Sequence, residues 1–172
     1  MTRKMRFSVG LLIVFAQLVW SSPVAADSYK CNDRVDGGFT STLAGGPTCA
    51  SPIGICTTGL LTGDLEGTYN FTMLTLTPSG NPNDPNEFVY TGSSIVDLGH
   101  GNRIFGNDSG VMHVNPNPAG PSPFTTTVAF RGGERTYEGS VGRIVATGVL
   151  TFATGNAEGD YTAVICTRKR DR

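Results

Sequence analysis

Beyond its first 26 residues the chain alternates between apolar and polar positions with a period of two, in short runs broken by Gly, Pro, Asn and Asp. No stretch of that region carries a sustained 3.6-residue apolar stripe. Period-two runs bounded by turn formers predict strands, and several in succession predict an all-β sandwich or barrel.

The first clear strand pattern starts near Gly59. Leu65, Gly67, Tyr69, Phe71 and Met73 share one face, and Glu66, Thr68, Asn70 and Thr72 share the other. At Leu74 and Leu76 the apolar parity switches, which predicts a bulge. Pro78–Asn86 is rich in turn formers. A second run, Glu87–Asp97, places Phe88 and Tyr90 on one face and Val89 and Ile95 on the other. Gly99-His100-Gly101-Asn102 predicts a tight hairpin turn. The returning strand covers Arg103–Asn115, with an irregularity at Gly106-Asn107-Asp108. Pro116–Pro123 predicts another loop.

Phe124, Thr126, Val128 and Phe130 line one face of the next strand, which runs into a glycine-rich corner at Gly132-Gly133. After the corner Ile144, Ala146, Gly148, Leu150 and Phe152 share a face. A turn at Thr154–Ala157 leads to a last strand, Gly159–Thr167. With a segment near Gly59–Thr62 the count is seven or eight strands, the range of a closed antiparallel barrel. Residues 27–55 are rich in Asp, Gly, Pro and Ser and predict an irregular, cysteine-containing N-terminal extension. The expected division is therefore a leader at 1–26, that extension at 27–55 and a β-barrel at 56–172.

The leader reading rests on Arg3, Lys4 and Arg6, the apolar run Phe7–Trp20, and the small residues Val24-Ala25-Ala26 before Asp27. The run is shorter than the ~20 residues of a membrane span. Cleavage there predicts a secreted product with no membrane attachment. Removing 26 of the 172 residues would leave 146, enough for one domain with a sizeable core. It would also remove three of the 13 basic residues and none of the 14 acidic ones, for a net charge of about −4. A charge-poor, mildly acidic chain does not suit a nucleic-acid partner. Its one basic cluster, Arg168-Lys169-Arg170-Asp171-Arg172, reads as a solvated end.

The run Phe124–Thr151 contains the pattern GGxxxYxGxxG at Gly132-Gly133, Tyr137, Gly139 and Gly142. This pattern, the preceding hairpin EFVYTGSSIVDLGHGNRIFGNDSGVMH and the trailing GDYTAVICT resemble allene oxide cyclases and dirigent proteins. The resemblance covers about residues 57–167. It implies an eight-stranded calycin-like barrel around a central cavity, often assembled into oligomers. It also implies that a reactive apolar intermediate is steered to one product by confinement and a few polar contacts, without cofactor.

The chemistry legible in single residues is sparse. His100 and His113 are the only histidines and no CxxC pair is present, so no metal site is expected. Ser109 and His113 share a strand face at four positions' separation, too far apart for a hydrogen bond. Asn70-Phe71-Thr72 and Asn107-Asp108-Ser109 match the glycosylation acceptor pattern. Alternation sorts residues onto two faces without assigning either to the interior. Glu66, Tyr90, Asp97, Arg103, Asp108 and Tyr137 are accordingly all candidate pocket groups, with Tyr137 expected to act as a packing plug in the corner.

Four cysteines in a small exported domain allow three pairings. Cys56 lies just before the first predicted barrel strand and Cys166 near the end of the last. The expected pairing is Cys56–Cys166 across the barrel seam and Cys31–Cys49 within the extension. Two functions fit: a secreted small-molecule barrel that binds an apolar ligand and guides its cyclisation or coupling, or a non-catalytic secreted interaction module. For the first, an interior of roughly 300–1,000 Å³ is expected.

Overall fold

The computed structural model describes residues 28–46 and 48–169; the expected leader at 1–26 and the end of the basic tail lie outside the described residues. The described residues form eight strands: β1 (Tyr29–Ala44), β2 (Cys56–Gly63), β3 (Gly67–Pro78), β4 (Glu87–Asp97), β5 (Arg103–His113), β6 (Pro121–Glu134), β7 (Val141–Thr151) and β8 (Asn156–Arg168). Each pairs antiparallel with its sequence neighbours, and β8 pairs back onto β1, so the sheet closes as a barrel. Closure leaves no free sheet edge.

The expected irregular extension is corrected by β1. Residues 29–44 are a full barrel strand, paired with β2 over Gly37–Ala44 and with β8 over Tyr29–Thr42. Its inward positions Val35, Phe39 and Ser41 are buried. The strand is disguised by glycine. A side chain at Gly37 would collide with the Thr62 carbonyl and the Tyr161 phenol. Tyr161 uses that space to cross the barrel floor, where its hydroxyl accepts from Leu65 N–H at 2.9 Å and donates to the Thr62 carbonyl at 3.0 Å.

The disulfides are corrected for the same reason. Cys31 pairs with Cys166, and Cys49 with Cys56. The seam is sealed as expected of a closed barrel, but its first strand is β1, where Cys31 is the register partner of Cys166. Cys49–Cys56 instead ties off the loop between β1 and β2.

The parity switch is a bulge between Met73 and Thr75. The corner after β6 holds a 3-10 turn, Arg135–Tyr137, whose Tyr137 packs against the core at that end. Arg135 sits there at φ 55°, and Thr136 N–H donates to the Asn102 side chain of the neighbouring turn at 3.3 Å.

Two apolar layers fill the barrel. The larger, toward the Tyr161 end, includes Phe39, Leu61, Val96, Ile104, Phe130, Ile144 and Ile165. The other is built on Met73, Tyr90, Met112, Leu150 and Ala157. Ile104 and Met112 lie on the inward face of β5, four residues to either side of Asp108, which therefore sits at mid-height.

Candidate functional site

The inward face of β5 reads Ile104, Gly106, Asp108, Gly110, Met112. Its two glycines are seats for neighbouring side chains: a Cβ on Gly106 would collide with Val128, and one on Gly110 with the Tyr90 ring and hydroxyl. Opposite Asp108 on β4 stands Gly92, whose missing side chain leaves room for the Phe71 ring. These vacancies bring aromatic rings close to the carboxyl while leaving space beside it. Replacing Gly110 by Ala forces Tyr90 aside, with an expected loss of about 1–3 kcal/mol of stability. Urea denaturation checks this, and a neutral or stabilised variant would contradict the packing described.

The space is a cavity of about 110 Å³ within the barrel. Its walls are almost wholly apolar, with Phe39, Phe71, Met73, Met112, Phe124 and Leu150 among them. This is smaller than the expected volume, because rings from β1, β3, β4 and β6 lean into the interior. The rings of Phe39 and Tyr69 meet edge-on at 6.2 Å, Phe39 and Phe124 at 6.0 Å, and Phe71 and Tyr90 edge-on at 6.1 Å.

Among the described residues Asp108 is the one carboxylic acid on the wall. The Ser94 hydroxyl donates to its Oδ1 at 3.0 Å. Its Oδ2 is buried without a hydrogen-bond partner. Burial pushes the carboxyl from 3.8 up to about 7, only partly opposed by the Ser94 bond. Tyr90 is pushed up to about 12, first by burial, against the Thr126 hydroxyl, which favours ionisation, and with help from the nearby Asp108 charge. Tyr69 is raised by burial too, opposed by the hydroxyls of Ser41 and Thr57.

Of the six candidate residues, the fold brings Tyr90 and Asp108 together on the wall. Glu66 is exposed in the turn between β2 and β3. Asp97 and Arg103 face outward and pair with each other at 3.1 Å, with Glu134 at 3.7 Å from Arg103. Asp97 is held low by the Gly99 N–H first and by Arg103 second. All three are thus corrected as pocket groups; parity decides it, since Asp97 shares the outward face of Ile95, not the inward face of Tyr90, Ser94 and Val96. Tyr137 plugs the corner, its hydroxyl raised by burial. Ser109 is exposed, and His113 Nδ1 instead meets Asp84 Oδ2 at 2.6 Å. Asn70 and Asn107 both stand exposed on the outer face.

Tyr69, Ser94 and Thr126 are wall groups that residue-by-residue reasoning passed over. The available signal was parity: each shares a face with buried apolar residues of its own strand. Among the described residues no three His, Cys, Asp or Glu side chains converge as a metal site, and no helix is long and apolar enough to cross a membrane. The two disulfides point to an oxidising, extracellular-type environment. No protein-family model, curated protein or solved structure matches the chain.

Proposed function

We propose that this is a secreted small-molecule barrel whose cavity holds a small apolar ligand against Asp108. The observation that carries the reading is Asp108, which lines an apolar cavity and whose Oδ2 is buried with no hydrogen-bond partner on the protein. Buried polar atoms are nearly always paired, and one left open beside a cavity is placed to meet a ligand. A carboxyl poised at about 7 can give or take a proton at neutral pH. Such chemistry fits the cofactor-free steering of an apolar intermediate, by cyclisation or coupling, implied by the resemblance to allene oxide cyclases and dirigent proteins. The volume suits a ring-sized ligand: a dry engineered cavity of about 150 Å³ takes up benzene.

Toluene tests this most simply. Saturating toluene should raise the melting temperature by a few degrees through mass action. Ala146→Leu, which builds side chain into the cavity from β7, should abolish the shift. An unchanged melting temperature at saturation would sink the reading.

A second reading, a protein-interaction module or homo-oligomer, draws on the outer face of β4 and β5. Val89 faces Val111 there, and Ile95 faces Phe105; all four are exposed. Sedimentation across a concentration series distinguishes the two. Self-association lost on Phe105→Lys would favour the second.

A further inference from the structure

The open oxygen of Asp108 says more about the ligand than that it is small. We infer that the cavity selects a neutral, ring-sized apolar molecule bearing a single hydrogen-bond-accepting oxygen, such as a ketone, aldehyde or ether, which takes up the hydrogen bond offered by Asp108 Oδ2. The inference rests on the ligand-binding reading above and narrows it to a chemical class.

Three features converge on a donor at Oδ2. Oδ1 already accepts from Ser94, so one oxygen is left open. Among the described residues no Lys, Arg or His lines the cavity, and its other titratable groups are Tyr69 from β3, Tyr90 from β4 and Tyr161 from β8. Burial raises all three phenols, so they stay neutral and add no negative charge, and no cation on the wall offsets a carboxylate. Up to about neutral pH, Asp108 is therefore the acid form, whose proton finds no acceptor on the protein.

The rest of the wall sets the limit on ligand polarity. Ser41 and Thr57 lie near the Tyr69 hydroxyl and Thr126 near that of Tyr90. A second polar group on the ligand, away from Asp108 and these hydroxyls, would meet apolar walls, which costs a few kcal/mol. An ammonium group is disfavoured twice: it needs the ionised carboxylate, and its remaining N–H donors meet apolar walls. A volume of about 110 Å³ allows roughly one ring.

The test compares cyclohexanone, methylenecyclohexane and cyclohexylamine, matched in shape, by NMR titration of the full chain at about pH 5.5 and about pH 8.5, on either side of the carboxyl's transition. Cyclohexanone should bind at least about tenfold tighter than the hydrocarbon at the lower pH, the size of one satisfied buried donor. That preference should fall several-fold at the higher pH, where the carboxylate no longer donates. Asp108→Asn, whose amide donates at any pH, should keep the preference at both. Asp108→Leu should bind ketone and hydrocarbon alike. Equal affinities in the unsubstituted protein at the lower pH, or preference for the amine at the higher, would overturn the inference while leaving the cavity reading intact. Binding of none of the three would overturn both.

Discussion

Asp108→Asn should make the folded chain more stable at about pH 8, by on the order of 4 kcal/mol, and should flatten the dependence of its stability on pH. The folded carboxyl titrates at about 7 against a reference of 3.8. Between those values the folded state keeps a proton that the unfolded state has released. Stability from this group is therefore fully present below about pH 4, declines as pH rises, and is lost above about pH 7. Moving the carboxyl from 3.8 to about 7 corresponds to about 4 kcal/mol. The Asn variant has no such titration, so the two proteins should converge toward acid pH. Urea midpoints measured from about pH 4 to about pH 8 check this. A flat profile with a less stable variant would mean that the carboxylate is solvated or paired. A stability cost retained at a cavity wall is the usual mark of a site shaped for function.

The second large effect belongs to Cys31–Cys166. The two cysteines are 135 residues apart, and closing so long a loop in the unfolded chain corresponds to about 5 kcal/mol in the chain-entropy picture. Cys49–Cys56, seven residues apart, corresponds to about half as much. Total stabilities of single domains run at about 5–15 kcal/mol, so Cys31→Ser with Cys166→Ser should bring the barrel close to unfolding. Topology sharpens this: residues 29–36 of β1 pair with β8 alone, because β2 starts its pairing at Gly37. Hydrogen exchange in the double variant should show this segment opening first. A smaller loss than that of Cys49→Ser with Cys56→Ser would contradict the seam assignment.

How far the sequence revealed this arrangement turns on glycine. In β4, alternation placed Tyr90 opposite Val89 and Ile95, and the barrel has Tyr90 buried with the other two exposed. The bulge after Met73, the hairpin turn at Gly99–Asn102 and the aromatic plug at Tyr137 were likewise legible from local pattern. Strand β1 was not, because Gly37 sits at an inward position where alternation expects bulk. Gly37 serves as the seat of Tyr161, as Gly110 does for Tyr90 and Gly92 for Phe71. Such a seat can be read only when the ring that fills it, on another strand, is known. Missing β1 carried the cysteine pairing with it. The same logic hid the site: β5 does shift register against β6 between Ile104 and Gly106, as the irregularity predicts, yet it pairs with β4 without a break, and Asp108 keeps its inward place. Asp97 and Arg103 carry the right chemistry for a pocket, but alternation alone does not say which face is inner, and the barrel puts theirs outside.

A ligand that enters the space beside Asp108 is reported directly by the methionine methyl groups. Of the four methionines in the chain, Met1 and Met5 lie outside the described residues, whereas Met73 and Met112 both line the cavity. With 13C-methyl methionine and cyclohexanone added at about pH 5.5, below the carboxyl's transition, the Met73 and Met112 resonances should both shift and show ligand NOEs. Met73 and Met112 signals that stay in place at millimolar ketone, with no NOE to it, would contradict the account.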